Sequence, residues 1–431
     1  MTKFEIKFLL TWLIGLIVVA GCSTVKTDTA IDKYLSDLLE NKNYFKLRTE
    51  LANVQNKLSE DRLLLYKANC EHVFNNCQSS NQSIEILLNK YKKQLNDTIV
   101  SDLLTIKAGN HIRLYQYKEA VDTYNLILSQ YRTILDSVNI LEYENVQQLW
   151  QTLSVVKPQR IYKRNDVEIS AYRNQFNHLM IPVKCGQIAD EFIFDTGANL
   201  STISDSYAEK MNMTLYESNI KVNSSTSISV QTKLAVADNL YVGDILFENV
   251  VFLVVPDEQM SFPSVNYQVH GIIGFPVIYQ MDEIHLRKDG TIFIPEQPQD
   301  KHLCNIYIET LSPIVQLQSG NDSLLFTMDT GARTSELSER YYSKNKEKIE
   351  KNGKLIRVNR GGAGGIVETE VYRLENLPYT IGSKSGTLSE ISVNTTPYDF
   401  NQYYDGNLGQ DILAQFDEMI LNFQYMYIDF E

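Results

Sequence analysis

A short phrase that occurs twice constrains the fold of this chain more than any other feature. The tripeptide Asp-Thr-Gly stands at 195–197, directly after the apolar run 192–194, and it returns at 329–331. An apolar run that ends in Asp-Thr-Gly is typical of a buried strand that leads into a turn. Each turn therefore presents an acid at the mouth of a strand, beside an apolar core that disfavours the charged form of that acid.

The surroundings of the two tripeptides repeat as well, which a chance turn would not explain. Residues 195–204 align without a gap onto 329–338, and both segments begin with Asp-Thr-Gly-Ala and end in Ser. Further along the chain, a Gly-x-x-Gly at 271–274 matches another at 406–409. The chain therefore contains an internal repeat of domain size, which is longer than the repeats of solenoid proteins.

Asp-Thr-Gly-Ala followed by a late apolar-Gly motif, in that order and twice, resembles a retropepsin-type aspartic protease with two lobes in one polypeptide. More narrowly, the chain resembles the bacterial aspartyl protease lipoproteins related to that clan. The resemblance covers about residues 165 to 431. It implies a two-lobed, all-β, pepsin- or retropepsin-like protease, with lobe 1 at 165–297 and lobe 2 at 302–431. It also implies an extended peptide or protein substrate, and a catalytic pair within one chain that needs no obligate dimer.

Two carboxyl groups held side by side can perform chemistry that one cannot. Their charges repel in a dry site, so Asp195 and Asp329 are expected to share one proton and to titrate as a pair. The ionised member can take a proton from water as general base, while the protonated member polarises the peptide carbonyl. We therefore predict that Asp195 and Asp329 are the catalytic residues, and that no covalent intermediate forms.

The residues that follow each acid are predicted to support the pair. Gly197 and Gly331 carry no side chain where two backbones must approach closely. Thr196 and Thr330 carry hydroxyls that can bond across this approach, and in the family these threonines lock the two loops together.

In the family, each lobe also carries a mobile hairpin over the cleft. The segment RGGAGG at 360–365 resembles the glycine-rich retropepsin flap, whereas its first-lobe counterpart at 224–229 contains no glycine. No Lys-Ser or Lys-Thr follows the glycines, which argues against a phosphate-binding loop. An ordinary flexible loop is the alternative. The predicted flap residues are Ser225, Thr226, Ser227, Gly361, Gly362, Ala363, Gly364 and Gly365.

Two residues are predicted to lie at the rim of the cleft, namely Asn199 and Arg333. Asn199 fits the retropepsin pattern, in which Asp or Asn often follows Asp-Thr-Gly-Ala, but Arg333 departs from it. Arg333 could lower the pKa of the pair or select an acidic substrate side chain, or it could simply form a salt bridge at the rim. Asp411 follows Gly409-Gln410 in a turn that resembles the retropepsin Gly-Arg-Asp turn without its Arg, and is predicted to be structural.

The N-terminus is predicted to be a targeting segment. Lys3 and Lys7 precede the apolar run Phe8–Ala20, which is shorter than a typical membrane span and is typical of a signal peptide. Val-Ala-Gly-Cys at 19–22 resembles a bacterial lipobox, which implies removal of residues 1–21 and lipidation of Cys22. An ordinary signal sequence with an unmodified Cys22 is the alternative. The expected location is the bacterial cell envelope, with the outer membrane or periplasmic face more consistent than the cytoplasm.

A short lipidated tether at 22–30 is predicted to lead into a helical domain at 31–157. Apolar residues recur there at spacings of three and four, which is typical of helices. The stretch LYQYKEAVDTYNLIL at 114–128 resembles a tetratricopeptide (TPR) hairpin, although no clean period is found. We therefore expect an α-hairpin array with a TPR-like character. Its role is open between a spacer or packing platform and a groove that binds a protein partner or the enzyme's own cleft.

The pattern of apolar residues changes at Lys157-Pro158. Beyond this point, apolar and polar residues alternate as is typical of strands, instead of recurring at helical spacing. The tail at 419–430 is strand-like and is predicted to close a sheet between the lobes. The predicted fold class is therefore multidomain α+β, in which an N-terminal α-hairpin array precedes a two-lobed β protease.

Charge and cysteine usage exclude other classes of function. A formal net charge of −13, without a basic stripe, argues against nucleic-acid binding. No Cys or His cluster has the spacing of a metal site, so we expect neither a metal nor an organic cofactor. Cys70 and Cys77 could pair in an exported protein if a turn separates them, and free cysteines are the default interpretation.

These patterns together predict a lipid-anchored aspartic endopeptidase. The alternative is a non-catalytic lipoprotein that binds a peptide or a partner with a protease-like scaffold and TPR-like helices.

Overall fold

The computed structural model describes residues 26–223, 229–362, 365–396 and 403–431. Residues 1–21 and Cys22 lie outside the described residues, so the predicted signal peptide and lipidation site are not part of this description. In the part of the chain that the structure describes, no helix has the length and apolar character needed to cross a membrane.

Residues 29–153 form seven α-helices, each of which packs against the next along the chain. The first six pair into three hairpins, whose turns each contain one residue with a positive φ: Lys42 (52°), Asn75 (64°) and Tyr115 (56°). The helices are α1 Thr29–Glu40, α2 Tyr44–Val54, α3 Glu60–Val73, α4 Cys77–Ile86, α5 Asp97–Arg113, α6 Tyr117–Gln130 and α7 Ser137–Leu153.

The connections between the hairpins repeat in a way that the sequence analysis missed. A 3-10 turn follows each hairpin, and then a Leu precedes the N-cap of the next helix, as in Leu58-Ser59, Leu95-Asn96 and Leu135-Asp136. The side chains of Asn96 and Asp136 each accept a backbone N–H at 2.8 Å, which satisfies an otherwise unpaired helix N-terminus. The repeat escapes a period search because the hairpins differ in length.

Lobe 1 is built around a closed barrel of six strands. The barrel runs β9-β6-β12-β5-β4-β8 and closes through the pairing of β8 with β9. Between these strands lie two short helices, α8 Asp205–Lys210 and α9 Phe275–Tyr279. The strands are β1 Arg160–Tyr162, β2 Val167–Ser170, β3 Tyr172–Arg173, β4 Leu179–Cys185, β5 Ile188–Phe194, β6 Ser201–Ser204, β7 Thr214–Asn223, β8 Ser229–Val242, β9 Ile245–Val255, β10 Ser261–Phe262, β11 Tyr267–Gln268, β12 Gly271–Ile273, β13 Glu283–Arg287 and β14 Thr291–Ile294.

Lobe 2 repeats this barrel strand for strand. Its order is β21-β18-β22-β17-β16-β20, closed by the pairing of β20 with β21, so the internal repeat of the sequence extends to the topology. The helices are α10 Glu339–Asn352, whose sequence is rich in lysine, and α11 Gln410–Leu413. The strands are β15 Ile306–Glu309, β16 Ser312–Ser319, β17 Asp322–Met328, β18 Glu336–Leu337, β19 Lys354–Gly362, β20 Gly365–Ile381, β21 Lys384–Asn394, β22 Gly406–Leu408, β23 Glu418–Asn422 and β24 Tyr427–Phe430.

A separate five-stranded sheet joins the two lobes, in the order β2-β14-β13-β23-β24. Its central pair, β13 and β23, is antiparallel, with Glu283 opposite Asn422 and Arg287 opposite Glu418. The strand-like tail of the sequence supplies β23 and β24, as predicted. Because each lobe contributes a hairpin to this sheet, the sheet sets the orientation of one barrel relative to the other.

The three helical hairpins contact the β-rich lobes through their turns. Lys42 pairs with Glu309 of β15, the Asn75 Nδ2 donates to the Phe423 carbonyl at 2.8 Å, and the Tyr115 hydroxyl donates to the Pro276 carbonyl at 2.7 Å. Around the first two turns, a ring cluster of Tyr44, Phe45 and Phe74 surrounds the fully buried Tyr307. The array therefore spans both lobes, from β15 to α9.

Candidate active site

The two Asp-Thr-Gly turns face each other between the barrels. A methyl carbon added at Gly197 would lie 2.6 Å from the Cγ of Asp329, and one added at Gly331 would lie 2.5 Å from the Oδ2 of Asp195. Each acid therefore occupies the space beside the glycine of the opposite turn. Only glycine permits this approach, because real Cβ atoms do not sit so close to a neighbouring heavy atom.

The threonines of the two turns form a reciprocal set of four hydrogen bonds. The Thr196 hydroxyl accepts the Thr330 backbone N–H at 3.0 Å and donates to the Met328 carbonyl at 2.8 Å. The Thr330 hydroxyl accepts the Thr196 backbone N–H at 3.0 Å and donates to the Phe194 carbonyl at 2.9 Å. Both threonines are buried, so these bonds join the lobes in a region from which water is excluded.

Backbone N–H groups hold each carboxyl in place. The Gly197 N–H donates to the Asp195 Oδ1 at 2.8 Å, and the Gly331 N–H donates to the Asp329 Oδ1 at 2.8 Å. The Ala332 N–H adds a second bond to the same Asp329 oxygen at 2.9 Å. These donors stabilise the charged form of a carboxyl group.

The pKa of Asp195 is raised well above its usual value by burial, by the negative charge of Asp329 and by a hydrogen bond to the Asp329 carboxyl. The N–H groups of Gly197 and Gly331 oppose this shift. A hydrogen bond between two carboxyl groups requires that one of them carries a proton. The pair is therefore arranged to hold one proton between its members.

A second layer supports both turns in the same way. The Phe275 N–H donates to the Ala198 carbonyl at 2.8 Å, and the Gln410 N–H donates to the Ala332 carbonyl at 3.0 Å. Gly274 and Gly409, one residue earlier in each lobe, pack against these carbonyls, where a methyl carbon would meet backbone atoms within 3 Å. This explains the late Gly that both halves of the sequence share.

The second layer also differs between the lobes. In lobe 2, Asp411 accepts two bonds from Ser335, at 2.9 Å from its N–H and 2.6 Å from its hydroxyl, whereas lobe 1 has Pro276 in this position. The Ser335 hydroxyl in turn accepts the Gly409 N–H at 2.9 Å. Asp411 thus holds the loop behind the second turn, in agreement with its predicted structural role.

The two predicted rim residues differ in their surroundings. The Asn199 side chain accepts a hydrogen bond from the Ser312 hydroxyl of lobe 2 at 2.9 Å. Arg333 is exposed, and within the described ranges it forms no ion pair. The salt-bridge interpretation of Arg333 therefore finds no partner in this part of the chain, which leaves its guanidinium open to solvent.

In the sequence, the predicted flap residues stand between the strands of one hairpin, β7–β8, and around the junction of a second hairpin, β19–β20. Ser225, Thr226, Ser227, Ala363 and Gly364 lie outside the described residues. Gly361, Gly362 and Gly365 end the second hairpin, where Gly362 pairs with Gly365.

Several residues near the pair were not singled out by the sequence analysis. The Gln410 side chain donates to the Thr330 carbonyl at 2.5 Å, and Asn177 donates to Gln410 at 3.2 Å. His178 lies near Asp329 and shares a 2.9 Å hydrogen bond with the Tyr267 hydroxyl. Burial lowers the pKa of His178, against the opposing effect of the Asp329 charge. Gln410 stands in the turn that resembles Gly-Arg-Asp, but no motif marks Asn177 and His178, which approach the site from the segment before β4.

The described residues contain no group of three or more His, Cys, Asp or Glu side chains arranged to hold a metal ion. Cys70, Cys77, Cys185 and Cys304 are free, so the possible Cys70–Cys77 disulfide does not form here.

Comparison with known proteins agrees with the geometry of lobe 1. Residues 181–277 match the protein family described as Aspartyl protease. The matched range runs from β4 to α9 and includes the first Asp-Thr-Gly turn and Gly274. No curated protein matches the chain. The match supports a retropepsin-like aspartic protease domain in this part of the chain, within a protein whose N-terminal region is helical and whose C-terminal part is rich in β-strands.

Proposed function

We propose that this protein is an aspartic endopeptidase that hydrolyses peptide bonds with Asp195 and Asp329. The observation that carries the proposal is the reciprocal approach of the two turns, in which each acid lies against the glycine of the other lobe. This arrangement supports hydrolysis, because two carboxyl groups with one proton can activate water and polarise a carbonyl at the same time.

In the proposed reaction, the ionised carboxyl takes a proton from water as the water oxygen attacks the peptide carbonyl carbon. The protonated carboxyl donates its proton to the carbonyl oxygen, which gives a neutral tetrahedral intermediate. Breakdown of the C–N bond then needs a proton on the leaving nitrogen, which comes from the carboxyl that took one from water, while the other carboxyl takes back a proton from a hydroxyl of the intermediate as its carbonyl re-forms. Each carboxyl ends the cycle able to repeat it, and the chemistry uses only water and the two side chains.

An extended peptide is the substrate class that suits this site. The two hairpins β7–β8 and β19–β20 offer long strands to which a peptide could add by backbone hydrogen bonds. In this proposal, the helical array acts as a packing platform that spans the lobes. The alternative role is binding of a protein partner at its outer surface, which a binding experiment with the full chain would reveal.

The proposed location is the bacterial cell envelope, with the chain anchored by a lipid on Cys22. The lipobox-like sequence at 19–22 supports this proposal. It is tested by fractionation of cells that express the wild type or Cys22→Ser. Retention of the Cys22→Ser protein in the membrane fraction at the wild-type level would overturn it.

The catalytic proposal is tested by cleavage of a peptide library by the wild type, Asp195→Asn and Asp329→Asn. Each substitution is expected to lower the cleavage rate by about 10²–10⁴-fold, which is the usual contribution of a general acid or base. Asp322→Asn is the matched control, because Asp322 is an exposed acid on β17, the strand that delivers Asp329.

Cleavage by both variants at the wild-type rate would exclude the mechanism. Saturable peptide binding by a wild-type protein that cleaves nothing would instead identify a non-catalytic scaffold.

A further inference from the structure

Asn407 makes the environments of the two acids unequal. It lies on β22, half-buried, and its Nδ2 stands 3.3 Å from the Oδ2 of Asp329, to which it donates. The backbone donors of Asp329 bond to its other oxygen, Oδ1. Asn407 therefore supplies a donor to the oxygen that the turn itself leaves free. An amide N–H can only donate, so this bond favours the ionised form of Asp329.

A second side chain holds the other end of the Asn407 amide. The Thr327 hydroxyl donates to the Asn407 Oδ1 at 2.5 Å. Thr327 lies on β17, directly opposite Asn407 in the parallel pairing of β17 with β22. In this orientation the Asn407 carbonyl oxygen has its partner in Thr327, and the NH₂ group is the end that points to Asp329.

Lobe 1 has no equivalent of this pair. The same positions of the parallel pairing of β5 with β12 hold Ile193 and Ile272, which face each other as Thr327 and Asn407 do. Neither isoleucine can donate a hydrogen bond to Asp195. The two barrels share their topology and their threonine bonds, so the polar pair in lobe 2 is a difference confined to the immediate surroundings of one acid.

We propose that Asn407 is a positioning residue, held by Thr327, that keeps Asp329 as the ionised member of the pair and leaves the shared proton on Asp195. The proposal rests on the proposed function in one respect: it assigns Asp329 as the general base and Asp195 as the general acid of that reaction. The direction of the pKa of Asp195, which is raised, agrees with this assignment.

Other ionisable groups near the pair can also influence which carboxyl is ionised, so the test must separate their contribution from that of Asn407. His178 approaches Asp329 from the segment before β4, and Tyr267 bonds to His178 from β11. Arg333 follows the second turn and is exposed at the rim. A charge on His178 would also favour ionised Asp329. The test therefore includes His178→Gln in both the wild-type and the Asn407→Ile backgrounds, which removes this contribution equally.

The test is a pH titration of the full chain labelled with ¹³C at the aspartate carboxyl carbons, followed by NMR. The resonances of Asp195 and Asp329 are assigned from the Asn variants of each. In the wild type, Asp329 is expected to remain ionised over the pH range in which Asp195 is still protonated. In Asn407→Ile, which copies the lobe 1 residue, the lower apparent pKa of the pair is expected to rise by about one unit, a tenfold change in proton affinity.

Two further variants keep the result interpretable. Thr327→Val retains Asn407 but frees its amide, and is expected to shift the titration in the same direction by a smaller amount. Ile272→Val is the matched control in lobe 1 and is expected to leave both midpoints unchanged. If Asn407→Ile does not fold, Thr327→Val decides the question.

Two outcomes would overturn the proposal. One is a wild type in which Asp329 carries the proton, and the other is wild-type titration in both Asn407→Ile and Thr327→Val. The experiment does not depend on peptide cleavage. A protein that cleaves nothing would contradict the proposed function, and the titration would still decide the role of Asn407.

Discussion

The hydroxyls of Thr196 and Thr330 each accept the backbone N–H of the other at 3.0 Å. Each hydroxyl also donates to a strand of the opposite lobe, so the two side chains join the lobes through four buried bonds. Loss of any of these four hydrogen bonds would loosen both the orientation of the two turns and the separation of the two acids. The stability of the interface between the lobes and the geometry of the site therefore depend on the same few atoms.

This arrangement predicts a large effect of a very small change at Thr196. Thr196→Val keeps the shape of the side chain but leaves the Thr330 N–H and the Met328 carbonyl without partners. The expected loss is about 3 kcal/mol of unfolding free energy, since a buried group without a partner costs about 1–3 kcal/mol. Thr196→Ser retains the hydroxyl and is expected to lose less than half as much. Chemical denaturation of the three proteins measures the difference, and equal midpoints for Val and Ser would contradict the prediction.

The turns of the helical hairpins offer a test of how the array supports the protease. Asn75 has a positive φ, donates to the Phe423 carbonyl and accepts the Tyr279 hydroxyl. Asn75→Gly suits that backbone conformation but removes both bonds, so we expect a loss of about 2 kcal/mol of unfolding free energy.

Asn212 supplies the matched control for this substitution. It is an exposed residue with a φ of 52° in a turn of lobe 1, and Asn212→Gly removes no contact between the array and a lobe. Its free energy of unfolding is expected to stay within about 0.5 kcal/mol of the wild-type value, the usual range for surface changes. An Asn75→Gly protein as stable as Asn212→Gly would show that the array does not support the lobes through this turn.

The sheet between the lobes contains a half-buried histidine, His285, beside the buried Glu283, and this pair should make stability depend on pH. The His285 Nε2 lies 2.7 Å from Glu283, and its Nδ1 lies 3.2 Å from Glu418. Burial lowers the pKa of His285, but Glu283 and Glu418 together raise it above its usual value. Burial raises the pKa of Glu283, but His285, the Gln299 N–H and Asn422 bring it below its usual value.

The signs of these two shifts define a window of maximum stability. The contribution of His285 is complete below its unfolded pKa of about 6.5, and it is lost as pH rises through the higher folded pKa. The contribution of Glu283 is complete above its unfolded pKa of about 4.3, and it is lost as pH falls through the lower folded pKa. Denaturation midpoints should therefore peak at about pH 4.5–6.5.

His285→Gln should remove the fall on the alkaline side of this window. His302→Gln should keep that fall, because His302 is an exposed histidine whose ring lies 3.3 Å from Asp300, outside the sheet. A wild-type midpoint that stays constant from pH 6 to 9 would contradict the role of His285.

Much of the architecture could be predicted from the sequence because its signals are local or repeated. The α+β class, with helices before strands, follows from the change of periodicity near Lys157-Pro158, and the structure confirms it. The Asp-Thr-Gly turns can be located because an apolar run that ends in Asp-Thr-Gly is typical of a buried strand that leads into a turn. The structure brings Asp195 and Asp329 together, and their catalytic role stays a prediction.

The remaining features depend on contacts that no local pattern encodes. Asn407 and Thr327 are neighbours only because β17 and β22 pair in parallel, and nothing in either segment indicates that one amide will reach an acid. Strand lengths depend on pairing in the same way: β8 runs without a break over Ser229–Val242, although the apolar residues of this segment fall into separate short runs. Its partner β9 continues through this region, so cross-strand pairing overrides the weak local pattern.

The loops behind the two turns allow a comparison within one molecule, because Ser201 and Ser335 accept equivalent bonds. The Ser201 hydroxyl accepts the Gly274 N–H at 3.0 Å, and the Ser335 hydroxyl accepts the Gly409 N–H at 2.9 Å. Only Ser335 also donates its hydroxyl to an acid, Asp411. Ser201→Ala is therefore expected to lose about 1 kcal/mol of unfolding free energy, the usual net contribution of one hydrogen bond.

Ser335→Ala should lose about 2–3 kcal/mol, because it also removes a bond to a charged group. In the double variant Ser335→Ala/Asp411→Asn, part of this loss should be recovered, since the charge that lacked its hydroxyl partner is then gone as well. Chemical denaturation of the four variants, including Asp411→Asn alone, measures the coupling between Ser335 and Asp411. Strictly additive losses would show that Asp411 is held by its backbone bond from Ser335 alone, and the predicted difference between the two lobes would then be wrong.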